Sequence, residues 1–331
     1  MPRVLLLVPS ATYRAGDFLD AARAMGVEVV VGGDGLTAMA RTMGSRALEV
    51  PLGDAEAATR AIVAHDAKHP LDAVVAVDDR GTVAAASASA RLGLRANPPD
   101  AVAAACDKFE MRTRLDSAEV SQPAFTLLPP DAEPAQAAAI AADVGLPCVI
   151  KPRTLSGSQG VLRADDARGV ADAVTRVRRI ACSAGIDPAQ GLLVERYVAG
   201  PEVAVEALLS DGEIDVLAIF DKPDPLDGPA FEETIYVTPS RLPVPDREAV
   251  VTTTQAATRA IGLVDGPVHA ELRVAGGRAW VIEVAARTIG GLCARSLTFS
   301  LGRSLEELVL AHACASRWST PSVTRAPPAC S

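Results

Sequence analysis

Residues 3–95 alternate short, continuous apolar runs with stretches in which small apolar residues recur at helical spacing. "RVLLLVP", "VEVVVGG" and "LDAVVAVDD" read as strands buried on both faces, the kind found in parallel sheets. The intervening pattern predicts helices around Ala15–Met25, Ala55–His65 and Gly81–Leu92. This β-α-β-α-β order implies a small doubly wound parallel sheet. Asp78 and Asp79 stand at the carboxyl end of the third strand, where ligands of such sheets bind, and are expected at the rim of this first domain. No G-x-G-x-x-G follows the first strand, so a dinucleotide reading is weak. "RANPPD", Arg95–Asp100, is a linker by composition.

From Pro98 the pattern changes to α+β. A single helix is expected over about Asp100–Ser117, then a strand in "AFTLLP" and a helix near Pro134–Val144. "PCVIKPR" and "GVLRAD" read as strands flanking a loop, followed by a long helix over about Ala167–Ala184. Three further strands lie in "GLLVERYV", "GPEVAVEALL" and "EIDVLAIFDK". "PVHAELRV" and "RAWVIEVAAR", separated by Gly276-Gly277, form an antiparallel hairpin. The last helix, "SLEELVLAHA", opens with Ser304 and Glu307 as a capping box. After Cys314, "ASRWSTPSVTRAPPACS" has no periodicity and reads as an irregular tail. The expected divisions are 1–97, 98–194, 195–314 and the tail 315–331.

Composition narrows the function. The net charge is −9 with no basic cluster, which argues against nucleic acid as a partner. No apolar run approaches the roughly 20 residues of a membrane span. The six cysteines show no C-x-x-C pair, which favours a reducing, cytoplasmic setting over a zinc site or disulfide framework. Of the 32 basic residues only Lys68, Lys108, Lys151 and Lys222 are lysines. A chain that uses arginine for its ordinary surface cations retains lysine where a compact ammonium on a flexible stem is needed.

Lys151 sits in "LPCVIKPRTLSGSQGV", ahead of the glycines, the reverse of a P-loop. Ser156, Gly157, Ser158, Gln159 and Gly160 form a hairpin loop whose backbone N–H groups can approach phosphates while Lys151 reaches them from the strand beneath. Taken alone, a plain hairpin tip fits equally well. Further along, Glu195 and Glu202 lie seven residues apart, Lys222 ends a strand, and Glu271 and Glu283 occupy the two arms of one hairpin. Two carboxylates on one sheet face are hard oxygen ligands of the type Mg²⁺ takes beside phosphates. Arg287 and Gly290-Gly291 follow.

On these residues the chain from about Pro98 to Ala313 resembles the ATP-grasp superfamily, with residues 1–97 like its usual preceding domain. The fold this implies is an N-terminal doubly wound α/β domain followed by a two-lobed ATP-grasp fold. The resemblance implies ATP as cofactor: Lys108, Lys151 and the glycine loop on its phosphates, Glu195 with the Tyr197–Val198 backbone at adenine, Glu202 on ribose, and Lys222 on the phosphate side. It implies Mg²⁺ or Mn²⁺ on Glu271 and Glu283, Arg287 at the transferred phosphate, and Gly290 and Gly291 as N–H donors to an oxyanion. Within the superfamily, "DKPDPLDGPAFEETIYVTPSRLP" followed by "GPVHAELRV" is similar to carboxylate–amine ligases that join amino acids, such as L-amino acid ligases and carnosine-synthase-like enzymes. The implied partners are small carboxylate and amine substrates, amino acids foremost, and a homodimer is left open. His269 is left between a substrate or base role and a structural one, and Glu233 between contact with a substrate amine and a solvated position.

Two departures keep alternatives open. The family pattern E-[VI]-N-x-R reads "EVAAR" here, so Ala285 replaces an asparagine that serves the second metal. The irregular tail stands where relatives continue with folded chain, and the C-terminus is read as truncated or out of frame. A carboxylase-type or purine-pathway ligase, and an ATP-binding protein that no longer catalyses, therefore stand beside the ligase reading.

Overall fold

The computed structural model describes residues 1–10, 12–36, 44–232 and 234–314, so the tail at 315–331 lies outside the described residues. The first domain is a parallel sheet of β1 (Arg3–Leu7), β2 (Glu28–Gly33), β3 (Ala47–Glu49) and β4 (Ala73–Ala76), in the order β3-β2-β1-β4. Helices α1 (Ala15–Met25), α2 (Ala55–Asp66) and α3 (Asp79–Leu92) cover it. The period-two alternation of β1 sends Val4 and Leu6 against Phe18 of α1, and Leu5 and Leu7 against Ile62 of α2 and Ala84 of α3. Both faces are apolar, as a continuous run such as "RVLLL" requires. At three residues, β3 is too short for its pattern to announce it.

The next sheet is antiparallel, ordered β5-β8-β6-β7, from β5 (Phe125–Leu128), β6 (Cys148–Pro152), β7 (Leu162–Ala164) and β8 (Leu192–Arg196). Helices α6 (Pro134–Val144) and α7 (Ala167–Ser183) pack on one face, where Ile150 and Val194 meet Ala137, Val170 and Val174. The glycine-containing segment is a hairpin connection between β6 and β7, as expected from its flanking strands.

The third sheet, ordered β10-β9-β11-β12, contains β9 (Glu202–Ser210), β10 (Glu213–Lys222), β11 (Gly266–Ala275) and β12 (Arg278–Ala285). Its apolar face carries Val203, Val205, Leu272 and Val281 and is covered by α4 (Pro99–Cys106), α5 (Lys108–Ser117) and α8 (Val244–Ile261). Thus α4 and α5, although earlier in the chain than the second sheet, share their core with the third.

Two local differences from the sequence pattern have clear causes. The helix expected over 100–117 breaks at Asp107, which adopts an extended conformation and accepts hydrogen bonds from the Phe109 and Glu110 N–H groups. The break makes Lys108 the first residue of α5 and lets its N–H reach the Arg153 carbonyl at 2.9 Å. Helix α8 is not foreseen by the pattern, because "AVVTTTQ" mixes β-branched and polar residues; its proline-rich start and the left-handed Gly262 at its end were the available signals. The last helix, α9 (Leu305–Ala313), has the expected Ser304–Glu307 capping box and sends Val309 and Leu310 into the core of the first domain.

Candidate active site

The charges on the third sheet fall into rows set by strand register. Glu202 on β9 lies opposite Lys222 on β10 and Arg273 on β11. Lys222 Nζ is 2.8 Å from Glu202 Oε1, and Arg273 Nε donates to Oε2 at 2.8 Å. One row along, Glu271 on β11 faces Glu283 on β12 directly. In the third row His269 stands between Glu206 and Ala285, and its Nδ1 is 2.5 Å from Glu206 Oε1. Residues 202, 204 and 206 share one face because side chains alternate, and the apolar residues between them supply the core behind. Charges buried this deeply persist only when paired and hydrogen-bonded.

The pairs set the local protonation states. Burial pushes Glu271 up, but Lys222 Nζ at 3.0 Å and His269 outweigh it and hold the carboxyl well below its usual range. Burial lowers His269, but Glu206 and then Glu271 raise it to about 9.

The second sheet supplies the opposite wall. Lys151 on β6, 4% exposed, has Nζ 2.8 Å from Glu195 Oε2. Arg112, fully buried on α5, donates to Glu195 Oε1 at 2.6 Å and to the carbonyls of Val281 and Ile282 at 3.0 and 2.7 Å, tying the two sheets together. Burial pushes Glu195 up, yet Arg112 and Lys151 hold it at about 2. Burial lowers Lys151, with Glu195 opposing. Lys108 Nζ donates to the Leu155 carbonyl at 2.6 Å and to Glu283 Oε1 at 3.0 Å.

Two cavities meet here. A cleft of about 650 Å³ is lined by Lys108, Lys151, Glu195, Tyr197, Val198 and Glu202, with Val149, Val161, Phe231 and Ile282 as apolar walls. Tyr197 and Phe231 stack at 6.4 Å, a surface suited to a flat ring. A wider cavity of about 1830 Å³ holds Ser156, Gly157, Gln159, His269, Arg287, Gly290 and Gly291, and the first domain adds Tyr13, Arg14, Asp78 and Asp79. Ser158, Glu271 and Glu283 line both. Ser158 is left-handed, with φ of 55°, between Gly157 at 62° and Gly160 at 73°, so the loop is curled tightly over the junction. Lys222 sits beneath the junction against Glu202 and Glu271. Gly160 closes the base of the loop, where a Cβ would press on Pro152 and Ile180. Glu233 lies outside the described residues.

Arg287 forms a two-pronged ion pair with Asp79, at 2.8 and 2.9 Å. Burial raises Asp79, but Arg287 more than reverses this; burial lowers Arg287, and Asp79 reverses that in turn. Asp79 is therefore engaged with the arginine expected at the phosphate, rather than being a mere rim residue. The Gly291 N–H donates to the Tyr13 hydroxyl.

Three important charges escaped the sequence reading. Arg112 lies one helical turn after Lys108, Glu206 repeats the even spacing of Glu202 on an apolar strand, and Arg273 is two residues beyond Glu271. These spacings could have revealed them. Asp79's partner, 208 residues away, has no local signal.

Glu271 and Glu283 suit one divalent cation: both are carboxylates in register on neighbouring strands at the junction of the cavities. Among the described residues no group of three or more His, Cys, Asp or Glu is arranged to hold a metal by itself. The chain thus offers a partial oxygen set that phosphate and water would complete, and Ala285 adds no donor.

Comparison with known proteins agrees with this architecture. Residues 144–296 match the ATP-grasp domain, and residues 19–95 match the ATP-grasp N-terminal domain. An alanine–anticapsin ligase of Bacillus subtilis (strain 168) is 26% identical over 263 residues, covering 73% of this chain and 54% of its own length. A D-alanine–D-alanine ligase of Anaeromyxobacter sp. (strain K) is 32% identical over 164 residues, 49% of this chain and 50% of the relative. The chain therefore spans about half the length of these curated relatives. The crystal structure of an L-amino acid ligase from Bacillus licheniformis superposes with a TM-score of 0.75 at 25% identity, covering 96% of this chain and 76% of that one. No described helix is long and apolar enough to cross a membrane. With both ATP-grasp matches in chain order and a cleft between two antiparallel sheets, the chain belongs to the ATP-grasp family.

Proposed function

We propose that this chain is an ATP- and Mg²⁺-dependent ligase that joins a carboxylate to an amine, both carried by amino acids, through an acyl phosphate. The observation that carries the reading is the shared wall of the two cavities, where Ser158, Glu271 and Glu283 face both. A nucleotide seated in the narrow cleft would present its terminal phosphoryl there, and a carboxylate in the wider cavity would receive it. The ligase names of the relatives, which specify amino acids, support the substrate class.

In this reading Tyr197 and Val198 hold adenine, Glu202 the ribose, and Lys108, Lys151, Lys222 and the glycine loop the phosphates. Glu271 and Glu283 hold Mg²⁺ or Mn²⁺, which supplies charge neutralisation at the phosphoryl. Arg287 exchanges Asp79 for phosphoryl oxygens through its planar fork. A substrate carboxylate oxygen bonds to the phosphorus as ADP leaves. An amine nitrogen then bonds to the acyl carbon, phosphate departs and the nitrogen loses a proton. The Gly290 N–H, and the Gly291 N–H once it leaves the Tyr13 hydroxyl, are offered to the oxyanion. His269, with its ring nitrogens on Glu206 and Glu271, positions Glu271 rather than acting as a base.

Ala285 favours one second reading, in which ATP binds without turnover because an oxygen donor is missing. Nucleotide turnover with Mg²⁺ and a pool of amino acids separates the two. ADP and phosphate released only with the pool support the ligase. Bound but intact ATP with every acceptor supports the second reading, and ADP release dependent on bicarbonate would reassign the chain to carboxylase chemistry.

A further inference from the structure

The wider cavity contains a cation that the ligase reading does not use. Arg14, just before α1, is 4% exposed and lines the wall supplied by the first domain. Its Nη1 donates to the Thr288 carbonyl at 3.2 Å and its Nη2 to the Thr288 hydroxyl, both uncharged acceptors. The same carbonyl accepts from Arg287 Nη1 at 3.0 Å, so two guanidinium groups converge on one oxygen. Asp79 compensates Arg287. Among the described residues Arg14 has no carboxylate in contact: Glu306 and Glu206 act on it only from a distance, and Glu206 already accepts from His269 and the Ile289 N–H. Burial, and then Arg287, lower the Arg14 pKa despite those distant carboxylates, so its charge is less well served than in water. A buried, uncompensated guanidinium facing a cavity is relieved by a ligand anion.

Amide formation between two amino acids involves two carboxylates. One is activated and loses its charge, whereas the other, on the partner that supplies the amine, stays ionised throughout. We infer that Arg14 binds this unreacting carboxylate, so that the amine substrate is an α-amino acid selected by the first domain. The inference rests on the ligase reading and adds the residue that recognises the acceptor's free carboxylate. The convergence of Arg14 and Arg287 on Thr288 places this anion site beside the arginine assigned to the phosphoryl group.

The test is a competition in the full chain. Equimolar proteinogenic amino acids and their primary amides are supplied with Mg²⁺ and ATP, and dipeptides and dipeptide amides are quantified by mass spectrometry. An α-amide without a side-chain carboxylate can enter only as the amine, so for those residues the product ratio reads acceptor selection directly. The expected excess of dipeptide is on the order of 10- to 100-fold, the value of a charge-assisted contact. In Arg14→Gln the ratio should fall towards one, with the KM for ATP unchanged, and Arg14→Lys should restore part of it. Comparable products from the unmodified chain, or an undiminished acid preference in Arg14→Gln, overturns the inference; the first comparison needs no variant. If no ATP is consumed, the ligase reading fails, and saturation-transfer NMR of the same acids and amides with Mg²⁺ and ADP decides the Arg14 site separately. Acid-selective binding lost in Arg14→Gln upholds that site, whereas equal or absent binding of acid and amide rejects it.

Discussion

Lys108, Lys151 and Lys222 each face a carboxylate within 3.0 Å, and Arg287 faces Asp79. Nucleotide phosphates would thus exchange with existing anions rather than enter a bare positive pocket. The balance avoids several uncompensated buried charges, which would destabilise the folded chain. Asp79→Asn removes the charge that orients Arg287; kcat/KM is expected to fall about 10- to 100-fold, as for loss of one charged hydrogen-bonded contact. Steady-state kinetics showing an unchanged kcat/KM would remove Asp79 from the site. Glu195 gives a pH prediction. Its folded pKa of about 2 lies below the ordinary 4.5, so its stabilising effect is present above pH 4.5 and lost as the pH falls towards 2. The loss should amount to about 3 kcal/mol, read as a declining urea midpoint. Glu195→Gln should be less stable at neutral pH and lack that part of the acid slope. An identical slope in the variant would contradict the assignment.

Register and turn geometry act at the level of elements. The third sheet carries its charges on one face because Glu202, Glu206, His269, Glu271 and Arg273 occupy positions of the same parity on paired strands. A one-residue slip would turn them into the core and Val203 and Val205 towards the cavity. Gly200, in the turn that leads from Val198 to Glu202, has φ of 119°, and a Cβ there would lie 2.1 Å from the Val274 carbonyl oxygen. Gly200→Ala should therefore destabilise the chain by about 1–3 kcal/mol and weaken nucleotide binding. Thermal unfolding and a nucleotide titration check this, and a variant with unaltered values in both would show that the turn can shift freely. Asp107 works in the same manner: by ending α4 and capping α5 it places Lys108 against Leu155 and Glu283.

Across the whole molecule, the cavity walls come from distant parts of the chain. Tyr13 and Asp79 of the first domain meet Gly291 and Arg287, while α9 returns to pack on α1 and β1. Arg112 bridges the sheets on either side of the narrow cleft. A nucleotide bound between those sheets favours the folded state by mass action, by about 2.7 kcal/mol at a hundred times its Kd. Mg²⁺ with ADP is expected to raise Tm in proportion to log concentration, and a chelator should reduce the rise. A melting curve insensitive to nucleotide would contradict the cleft assignment.

The sequence by itself determined the parallel first domain, the β6–β7 glycine hairpin, the β11–β12 hairpin and the capped α9, because each rests on local periodicity, turn chemistry or capping. It also singled out Lys108, Lys151, Lys222, Glu271 and Glu283, through the rarity of lysine and the position of the carboxylates on paired strands. Helix α8 was hidden by its mixed composition, and the break at Asp107 by an otherwise continuous helical pattern. Only the tertiary structure decided which charge faces which: Arg112 with Glu195, Glu206 with His269, Asp79 with Arg287, and Arg14 with no carboxylate in contact among the described residues. Those relations join residues that neither periodicity nor spacing connects, and they are set by how three sheets pack to bury their apolar faces while leaving the charged faces around a common cavity.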